Sequence, residues 1–388
     1  MFKRSKNIYM KKICFISSTR ADFGILKNLI LELKKIRTFN IKLIAGGSHY
    51  LSSYGSTYKE ILGNNIKIDH SIINKFYNDD EFAISKVFSK SLLETGQIIK
   101  KIKPDLIVVL GDRFEILASV ISANFFRIPV AHLYGGEITH GALDDCYRHA
   151  ITKLSHLHFV ANDKYKKRVK QLGENPKNIF VVGGLAADNI LKTSFLKKSI
   201  LEKNLNIKFK KYNFIVNYHP ETLNKNSSLK NINILIKAIS KFQNMNFFFT
   251  SPGIDLESRL IIKEIKKRLN KNMYFFRSLG QRRYFSLMRI CTGIIGNSSS
   301  GILEMPYFNK ITLNLGDRQK GRIFAKSIIN SPVSLDKITH FLKKIEKNSF
   351  KLDNTKLPYG KSGAINKIIS ILKKIKKKDI FYKKFRDL

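Results

Sequence analysis

Short apolar runs recur along the chain, and stretches with apolar residues at helical spacing separate most of them. Continuous apolar runs of this kind are typical of strands in parallel sheets, because helices cover both faces of such sheets. The helical stretches include ILKNLILELKKI near the start and EILASVISANFF further along. The pattern predicts strands at residues 12–17, 41–45, 105–110, 130–133, 157–161, 179–182, 214–218, 246–250, 273–277, 292–295 and 311–315.

The strands form two series, because the pattern changes near residues 185–212 and starts again at Phe214. A chain of 388 residues is also too long for one typical hydrophobic core. We therefore predict an α/β protein with two Rossmann-like doubly wound domains and a cleft between them. We expect the N-terminal domain at residues 1–187, the C-terminal domain at 188–362, and a C-terminal helix at 363–388 that returns to the first domain.

The formal net charge of +42 favours anionic ligands. Its lysines are spread over the whole chain, so we expect no nucleic-acid partner, although nucleic-acid binding is the alternative that charge alone suggests. The densest basic cluster, ILKKIKKKDIFYKKFRDL, lies at the C-terminus and alternates with apolar residues at helical spacing. We predict a solvated helix face there, with a functional basic patch as the alternative.

The cysteines and the apolar runs lead us to expect a cytoplasmic protein with free thiols and no membrane span. Three widely spaced cysteines include no CxxC pair, which favours free thiols in the cytoplasm over a zinc site or a disulfide framework. No run approaches the roughly 18 apolar residues of a membrane span. The basic start precedes only a brief apolar stretch, residues 13–16, which we interpret as a buried strand and not as a signal peptide.

Residues 291–322 carry the most specific chemistry of the chain. An apolar run stops at Gly296 and Asn297, three serines open a helix, and a second run leads to a loop with Arg318 and Arg322. The first backbone N–H groups of a helix bind anions, because they have no partner within the helix. The hydroxyls and arginines add contacts to phosphate and ribose. The segment therefore predicts a nucleotide-linked substrate.

Four other predicted strands also end in polar loops. Parallel sheets place their ligand sites at the carboxyl ends of strands, so we expect these loops to meet in the cleft. The loops are residues 18–24, residues 111–115, residues 132–137 with the following Asp144, Asp145, Arg148 and His149, and residues 219–222.

The combination of these loops resembles a known family. STRADFG, GDRFE, GGE with DD and RHAITKLSHLHF, HPET, GNSSSGILE and NLGDRQKGR occur in this order between Ile13 and Arg322. They resemble the hydrolysing UDP-N-acetylglucosamine 2-epimerases of sialic acid biosynthesis, in particular bacterial capsule-type enzymes and relatives acting on bacillosamine-derived sugars for legionaminic acid. The resemblance implies a glycosyltransferase-B arrangement, a nucleotide-sugar substrate, no metal, no nicotinamide or other cofactor, and usually a homo-oligomer, either a dimer or a tetramer.

The residue types suit that reaction. Inversion at C2 requires removal of a weakly acidic proton, loss of the nucleotide diphosphate from C1, addition of water to the resulting glycal and return of a proton to the opposite face. Carboxyl groups can serve as base and acid, and cations can stabilise the leaving diphosphate. The candidates are Asp112, Glu137 and Asp144 as catalytic carboxyls, and His219, Arg20, Arg113 and Arg318 at the diphosphate.

Each catalytic candidate also has an ordinary structural explanation. Asp112 could cap a helix, Glu137 could be a solvated loop residue, and Asp144 or Asp145 could be the N-cap of the next helix. His219 would bind the diphosphate through a hydrogen bond or a charge. The histidines at 149, 156 and 158 are expected to pack or to cap, because their spacing does not suit a zinc site.

The remaining candidates are expected to bind the substrate or its nucleotide. Tyr134 replaces a carboxylate or a histidine that members of the family have at this position, so either Glu137 takes over a role or Tyr134 shapes a pocket for a less polar sugar. The other candidates are Asp22, Ser251, Gly253, Arg277, Ser298, Ser299, Glu304 and Gln319.

The resemblance implies hydrolysis and epimerisation of UDP-N-acetylglucosamine to N-acetylmannosamine and UDP. Three alternatives remain open: the same reaction on UDP- or GDP-N,N′-diacetylbacillosamine, a non-hydrolysing epimerase, and a glycosyltransferase, which shares the two-domain architecture.

Overall fold

Two parallel sheets organise the chain, as predicted. The computed structural model describes residues 11–74, 80–223, 227–347, 350, 357–376, 380 and 382–387. The first sheet has seven strands in the order β3-β2-β1-β4-β5-β6-β7, and the second has six in the order β10-β9-β8-β11-β12-β13. In both sheets the strand order reverses beside the first strand of the series, which is the usual place for a ligand crevice in doubly wound folds.

The strands of the first sheet are β1 Lys11–Ser17, β2 Phe39–Ala45, β3 His70–Ser71, β4 Leu106–Leu110, β5 Val130–Leu133, β6 Leu157–Val160 and β7 Ile179–Val181. The strands of the second are β8 Tyr212–Asn217, β9 Met245–Thr250, β10 Met273–Phe276, β11 Gly293–Gly296, β12 Ile311–Leu315 and β13 Ile328–Ser331.

The described α-helices are α1 Arg20–Lys34, α2 Tyr58–Gly63, α3 Glu81–Ile102, α4 Phe114–Phe125, α5 Asp144–Leu154, α6 Asp163–Gln171, α7 Ala186–Leu191, α8 Lys198–Leu205, α9 Ser227–Ile239, α10 Ser258–Lys267, α11 Gly280–Ile290, α12 Ser299–Leu303, α13 Leu335–Glu346 and α14 Ala364–Lys374.

The predicted strands all occur, each within two residues of its expected ends, but two edge strands were missed. Strand β3 comprises only His70 and Ser71, and β13 is the short sequence IINS with partly exposed residues. An edge strand has a neighbour on one side only and is not enclosed by helices, so it lacks the continuous apolar run that identifies a central strand.

Both faces of each sheet are buried, which explains the continuous apolar runs. In β1, Ile13 and Phe15 pack into one core cluster, whereas Cys14 and Ile16 pack into another. In β8 the same alternation separates Phe214 from its neighbour Ile215. No helix among the described residues is long and apolar enough to cross a lipid bilayer.

The end of the chain lies against the first sheet. Four apolar residues of α14 join the core cluster of β1 and α1, and Asp188 accepts hydrogen bonds from the backbone N–H groups of Gly363 and Ala364 at 2.9 and 3.0 Å. Helix α14 ends at Lys374, and among the described residues beyond it only Ile380 is helical, so the single continuous helix expected at 363–388 is interrupted. Beyond it, the ammonium of Lys383 pairs with Glu174 at 2.7 Å.

The proposed domain limits remain predictions. Residues 1–10 of the first domain, and residues 377–379, 381 and 388 of the basic C-terminal cluster, lie outside the described residues. Helix α7 spans the expected division at 187 and 188, and its Asn189 donates to the carbonyl of Ile25 in α1 at 2.9 Å. Below, the N-terminal lobe denotes the first sheet with its helices, and the C-terminal lobe denotes the second.

Candidate active site

The two lobes enclose a cavity of about 300 Å³ at the carboxyl ends of their central strands. Its volume is within the usual range for small-molecule sites, roughly 300–1,000 Å³. Ser251 is the one predicted site residue that does not line it. The predicted residues in the wall are Arg20, Asp22, Asp112, Arg113, Tyr134, Glu137, Asp144, His219, Gly253, Arg277, Ser298, Ser299, Glu304, Arg318 and Gln319.

A buried arginine organises the catalytic candidates of the N-terminal lobe. Arg148 on α5 is 1% exposed and forms ion pairs with Asp112 and, at 2.9 Å, with Asp145. It also donates to the Thr139 hydroxyl at 3.1 Å and to the Glu137 carbonyl at 3.2 Å. The sequence indicates Arg148 only as one of the polar residues that follow a strand-end loop, because the motif RHAITK does not show which carboxylates its side chain contacts.

Asp112 is held as an anion. Burial alone would raise the pKa of its carboxyl, but Arg148 and Arg322 keep that pKa below its ordinary value. The helix-cap alternative does not apply, because Arg113 is the N-cap residue of α4 and no side chain caps that helix. The carboxylate is therefore available to stabilise positive charge in the cavity.

Glu137 is 1% exposed, and its environment differs from that of Asp112. Its Oε2 lies 2.8 Å from Nη2 of Arg322, which belongs to the C-terminal lobe. Its Oε1 has no hydrogen-bond partner among the described residues. Burial raises the pKa of Glu137, although Arg322 and Arg148 oppose that effect. A buried carboxyl with a free oxygen is suited to carrying a proton.

Asp144 is the first residue of α5 and also faces the cavity. Burial raises the pKa of Asp144 to about 7, with Arg113 opposing and Asp112 reinforcing the shift. The N-cap residue of α5 is Leu143, so Asp144 does not cap the helix. Its neighbour Asp145 instead accepts from the Thr139 N–H at 2.6 Å. A carboxyl that titrates near neutral pH is a strong candidate for general acid–base chemistry.

His219 lies at the end of the C-terminal lobe's first strand, where its backbone is fixed on both sides by Asn297 at 2.7 and 2.8 Å. Burial and the nearby Arg318 lower the pKa of His219 to about 3, so the imidazole is neutral. The Gly253 N–H points at Nδ1 from 3.5 Å, which assigns the proton to Nε2. A neutral imidazole can donate a hydrogen bond to the diphosphate, and the role of His219 there remains a prediction.

Two arginines of the N-terminal lobe cross the cleft. Arg20 donates to the carbonyls of Arg277 at 2.6 Å and Ser251 at 2.8 Å. Arg113 donates to the Ile254 carbonyl at 2.5 Å and pairs with the Asp255 carboxylate. Ser251 therefore contributes its backbone to the lobe contact and does not face the cavity.

The serine turn is built on a close backbone approach. Gly296 has φ of 140°, and a Cβ there would lie 2.0 Å from the Asn217 carbonyl oxygen, so only glycine fits. Ser298 caps α12, which has only five residues. A helix this short has a weak dipole, so its serine hydroxyls matter more than the dipole predicted from the sequence. Burial raises the pKa of Glu304, at the end of α12, to about 7.

The loop after β12 brings unpaired polar atoms to the cavity. Arg318 and Gln319 donate to the Asn297 carbonyl at 3.1 and 2.9 Å. Among the described residues, the Arg318 Nε, the Gln319 Oε1, and the Nε and Nη1 of Arg322 are buried without a hydrogen-bond partner. Unpaired buried donors and acceptors are costly, so a polar ligand at these atoms would recover that energy.

Two predicted ligand-binding residues have structural partners. The Asp22 carboxylate accepts from the Ser17 hydroxyl and from the backbone N–H groups of Ser18 and Thr19, so it holds the first loop. Tyr134 has φ of 67°, and its hydroxyl accepts from the Leu185 N–H at 2.8 Å. Both still line the cavity, and their contact with substrate remains a prediction.

Sequence reasoning missed many other residues of the cavity wall, among them Asp255, Gln281 and Tyr284. Asp255 follows a strand end and could have been found by the same rule as the other loops. Gln281 and Tyr284 lie on α11, where an ordinary amphipathic pattern hides them. Among the described residues, no group of three or more His, Cys, Asp or Glu side chains is arranged to hold a metal ion.

Comparisons with known proteins agree with this architecture. Residues 31–373 match the family described as UDP-N-acetylglucosamine 2-epimerase. The chain is 40% identical to the GDP/UDP-N,N′-diacetylbacillosamine 2-epimerase (hydrolyzing) of Campylobacter jejuni, over 97% of this chain and 99% of the relative. It is 35% identical to the polysialic acid biosynthesis protein P7 of Escherichia coli, over 98% of each.

A solved structure has the same fold. The UDP-GlcNAc 2-epimerase of Neisseria meningitidis, bound to UDP-GlcNAc, aligns with a TM-score of 0.76 at 19% identity and covers 94% of this chain and 100% of its own. The two-lobed structure is therefore of the glycosyltransferase-B type. The extent of the sequence match identifies the chain as a member of the UDP-N-acetylglucosamine 2-epimerase family.

Proposed function

We propose that the protein is a hydrolysing 2-epimerase that converts a UDP-linked 2-acetamido sugar and water into the free C2-epimeric sugar and UDP. The observation that carries this proposal is the composition of the cleft. Three carboxyls in different electrostatic environments lie on one wall, and unpaired cationic and polar donors lie on the other.

We assign the proton transfers to carboxyls of the N-terminal lobe. In the first step a carboxylate takes the C2 proton, the C1–O bond to the nucleotide breaks, and a double bond forms between C1 and C2. Glu137 and Asp144 are suited to proton transfer, because burial raises the pKa of both carboxyls. Epimerisation needs a proton donor and a proton acceptor on opposite faces of the sugar, and we assign these two roles to Glu137 and Asp144.

Asp112 has a different role. Its ion pair with Arg148 keeps it ionised, so it stabilises the oxocarbenium-like charge that develops as the C1–O bond breaks. In the second step water adds to C1 and a carboxyl returns a proton to C2 from the opposite face. The atoms balance, because the sum of both steps is substrate plus water giving the epimeric sugar plus UDP.

We assign binding of the leaving diphosphate to the C-terminal lobe, together with Arg20 and Arg113, which cross the cleft. Neutral His219 offers its Nε2–H, and Arg318 and Arg322 offer unpaired guanidinium N–H groups. Ser298 and Ser299 add hydroxyls beside them. Fixed donors at a developing negative charge stabilise the transition state more than the substrate.

Two sugars are candidates for the substrate. The relative at 40% identity is named for N,N′-diacetylbacillosamine and for both GDP and UDP, which favours that sugar over N-acetylglucosamine. The relative at 35% identity is named for polysialic acid biosynthesis, which keeps UDP-N-acetylglucosamine as the second candidate. The position of Tyr134 supports the first choice, since the residue lines the cavity while its hydroxyl already accepts a hydrogen bond from the Leu185 N–H.

Turnover of the purified protein with three donors tests the proposal. We expect release of nucleoside diphosphate from UDP-N,N′-diacetylbacillosamine, with a lower kcat/KM for UDP-N-acetylglucosamine and for the GDP-linked sugar. A strong preference for UDP-N-acetylglucosamine would refute the choice of sugar. A product that is still linked to the nucleotide would mean a non-hydrolysing epimerase.

A further inference from the structure

Two loops from opposite lobes interlock beside the catalytic carboxyls. The loop of residues 137–145 belongs to the N-terminal lobe, and the loop of residues 317–322 belongs to the C-terminal lobe. The His140 N–H donates to the Lys320 carbonyl at 3.0 Å. A Cβ on Gly141 would lie 2.7 Å from Arg318 Cα, and one on Gly321 would lie 2.6 Å from Ile138 Cγ2. The lobes therefore approach as closely as backbone atoms allow.

This contact places Arg322 against Glu137. The Arg322 side chain is 8% exposed, and its Nη2 lies 2.8 Å from Oε2 of Glu137. Among the described residues, this is the only ion pair to the Glu137 carboxylate. Within the described part of the chain, the Nε and Nη1 of Arg322 and the Oε1 of Glu137 have no hydrogen-bond partner, and both side chains line the cavity.

The other charged groups around Glu137 do not replace Arg322. Arg148 donates to the backbone carbonyl of Glu137, and Arg168 donates to the carbonyl of Gly136 at 3.2 Å. Among the described contacts of these two arginines, none is to the Glu137 carboxylate. The remaining titratable neighbours are Asp112, Tyr134, Tyr165 and Tyr359. All of these groups except Arg322 belong to the N-terminal lobe or to the C-terminal segment that packs on it.

We propose that Arg322 is the counter-ion that the C-terminal lobe supplies to Glu137 when the cleft is closed, and that its two free N–H groups then bind oxygen atoms of the substrate. The proposal rests on the proposed function, because it assigns Glu137 to proton transfer. Separation of the lobes removes the guanidinium from Glu137 and leaves a buried carboxyl without its partner. Closure around the substrate therefore sets the protonation of Glu137 at the moment of reaction.

The pH dependence of kcat/KM tests the counter-ion role. A cation within about 4–6 Å lowers a carboxyl pKa by about 1–3 units, so Arg322→Gln should move the limb that reports Glu137 to higher pH by that amount. Arg322→Lys keeps a positive charge and should return the limb towards the wild-type position, with a raised KM because the fork of donors is lost. Lys320→Gln, an exposed side chain on the same loop, is the matched control and should leave the profile unchanged.

UDP affinity gives a second measurement that does not depend on turnover. Arg322→Gln should weaken UDP binding in calorimetry at a pH above its shifted limb, where Glu137 is ionised, because the variant removes a donor and exposes the diphosphate to an unbalanced carboxylate. Glu137→Gln in the Arg322→Gln background should recover part of that loss. An unshifted pH profile in a folded Arg322→Gln protein, or a double variant that binds UDP no better than Arg322→Gln, would overturn the proposal.

The two proposals fail differently. If the wild-type protein releases no nucleoside diphosphate from any of the three donors, the proposed function is wrong, whereas the binding series still reports on the Arg322–Glu137 pair. If the wild-type protein turns over and the variants show no shift, the counter-ion role is wrong and the function stands.

Discussion

Replacement of Arg148 by methionine should destabilise the protein more than any surface change. The guanidinium is 1% exposed and serves Asp112, Asp145, Thr139 and the Glu137 carbonyl. Methionine retains much of the apolar stem but leaves both carboxylates without their cation. Breaking one buried ion pair by removing a partner costs about 3–5 kcal/mol, so the loss should be at least in that range.

Asp112→Asn should lower the unfolding free energy less than Arg148→Met does. That change removes one partner of Arg148, which keeps Asp145, Thr139 and the Glu137 carbonyl. A hydrogen bond to a charged group contributes roughly 1.5–3 kcal/mol, so Asp112→Asn should cost about that much. We therefore expect the unfolding free energy to be highest for wild type, lower for Asp112→Asn, lower again for Arg148→Lys, and lowest for Arg148→Met.

Urea denaturation at pH 7, followed by circular dichroism, measures these differences. Arg37→Met is the control, because Arg37 is an exposed residue in the turn after α1 and such changes usually stay within about 0.5 kcal/mol. If Arg148→Met unfolds at the same urea concentration as Arg37→Met, the guanidinium does not hold the site together as described.

The same pair has a pH signature. The folded-state pKa of Asp112 is lowered, so the ion pair contributes stability above the carboxyl's ordinary pKa and loses it as pH falls through the folded-state value. The difference in stability between wild type and Asp112→Asn should thus be full at pH 7 and shrink below about pH 4. A difference that stays constant between pH 7 and pH 3 would contradict the ionised state assigned to Asp112.

Three further predictions follow from the cleft. Asp112→Asn should abolish turnover while UDP binding by calorimetry stays largely intact, because most nucleotide candidates lie on the C-terminal lobe; loss of UDP binding would contradict that division. Asp255→Asn should lower the unfolding free energy by about 1.5–3 kcal/mol, because Arg113 loses its charged partner across the cleft but keeps Glu115 and the Ile254 carbonyl, and an unchanged melting curve would refute this. The raised pKa of Asp144, about 7, disfavours the folded state as pH rises through that value, so Asp144→Asn should stabilise the protein more at pH 8 than at pH 4; equal effects would show that the carboxyl is not perturbed.

The sequence predicted most accurately those features that a single physical rule determines. Central strands such as 130–133 and 311–315 were predicted with their observed bounds, because burial on both faces leaves an unbroken apolar run. The strand-end rule brought nearly all of the predicted site residues to one cavity. Strand β13, with only one buried residue out of four, lacks that signal, and helix α14 stops at Lys374 although the apolar spacing continues.

The partners of the site residues could not be predicted, because they depend on contacts between distant parts of the chain. Arg148 meets Asp112 only after β4 and α5 pack together, and Arg113 meets Asp255 only after the lobes close. The sequence likewise placed Asp22 in the site without indicating that Ser17, Ser18 and Thr19 would engage its carboxylate. Local pattern thus identifies which loops meet, whereas the ionisation state of each carboxyl follows from tertiary packing.

Product analysis by NMR in deuterated water tests the central claim most directly. The protein is incubated with UDP-N,N′-diacetylbacillosamine and, separately, with UDP-N-acetylglucosamine, and the C2 position of the sugar is followed together with the nucleotide signals. The mechanism predicts free UDP and a free epimeric sugar with deuterium at C2, because one carboxyl removes the C2 proton and a second carboxyl, already exchanged with the solvent, delivers a deuteron to the opposite face. A product that keeps its original C2 proton, or that stays attached to UDP, would contradict it.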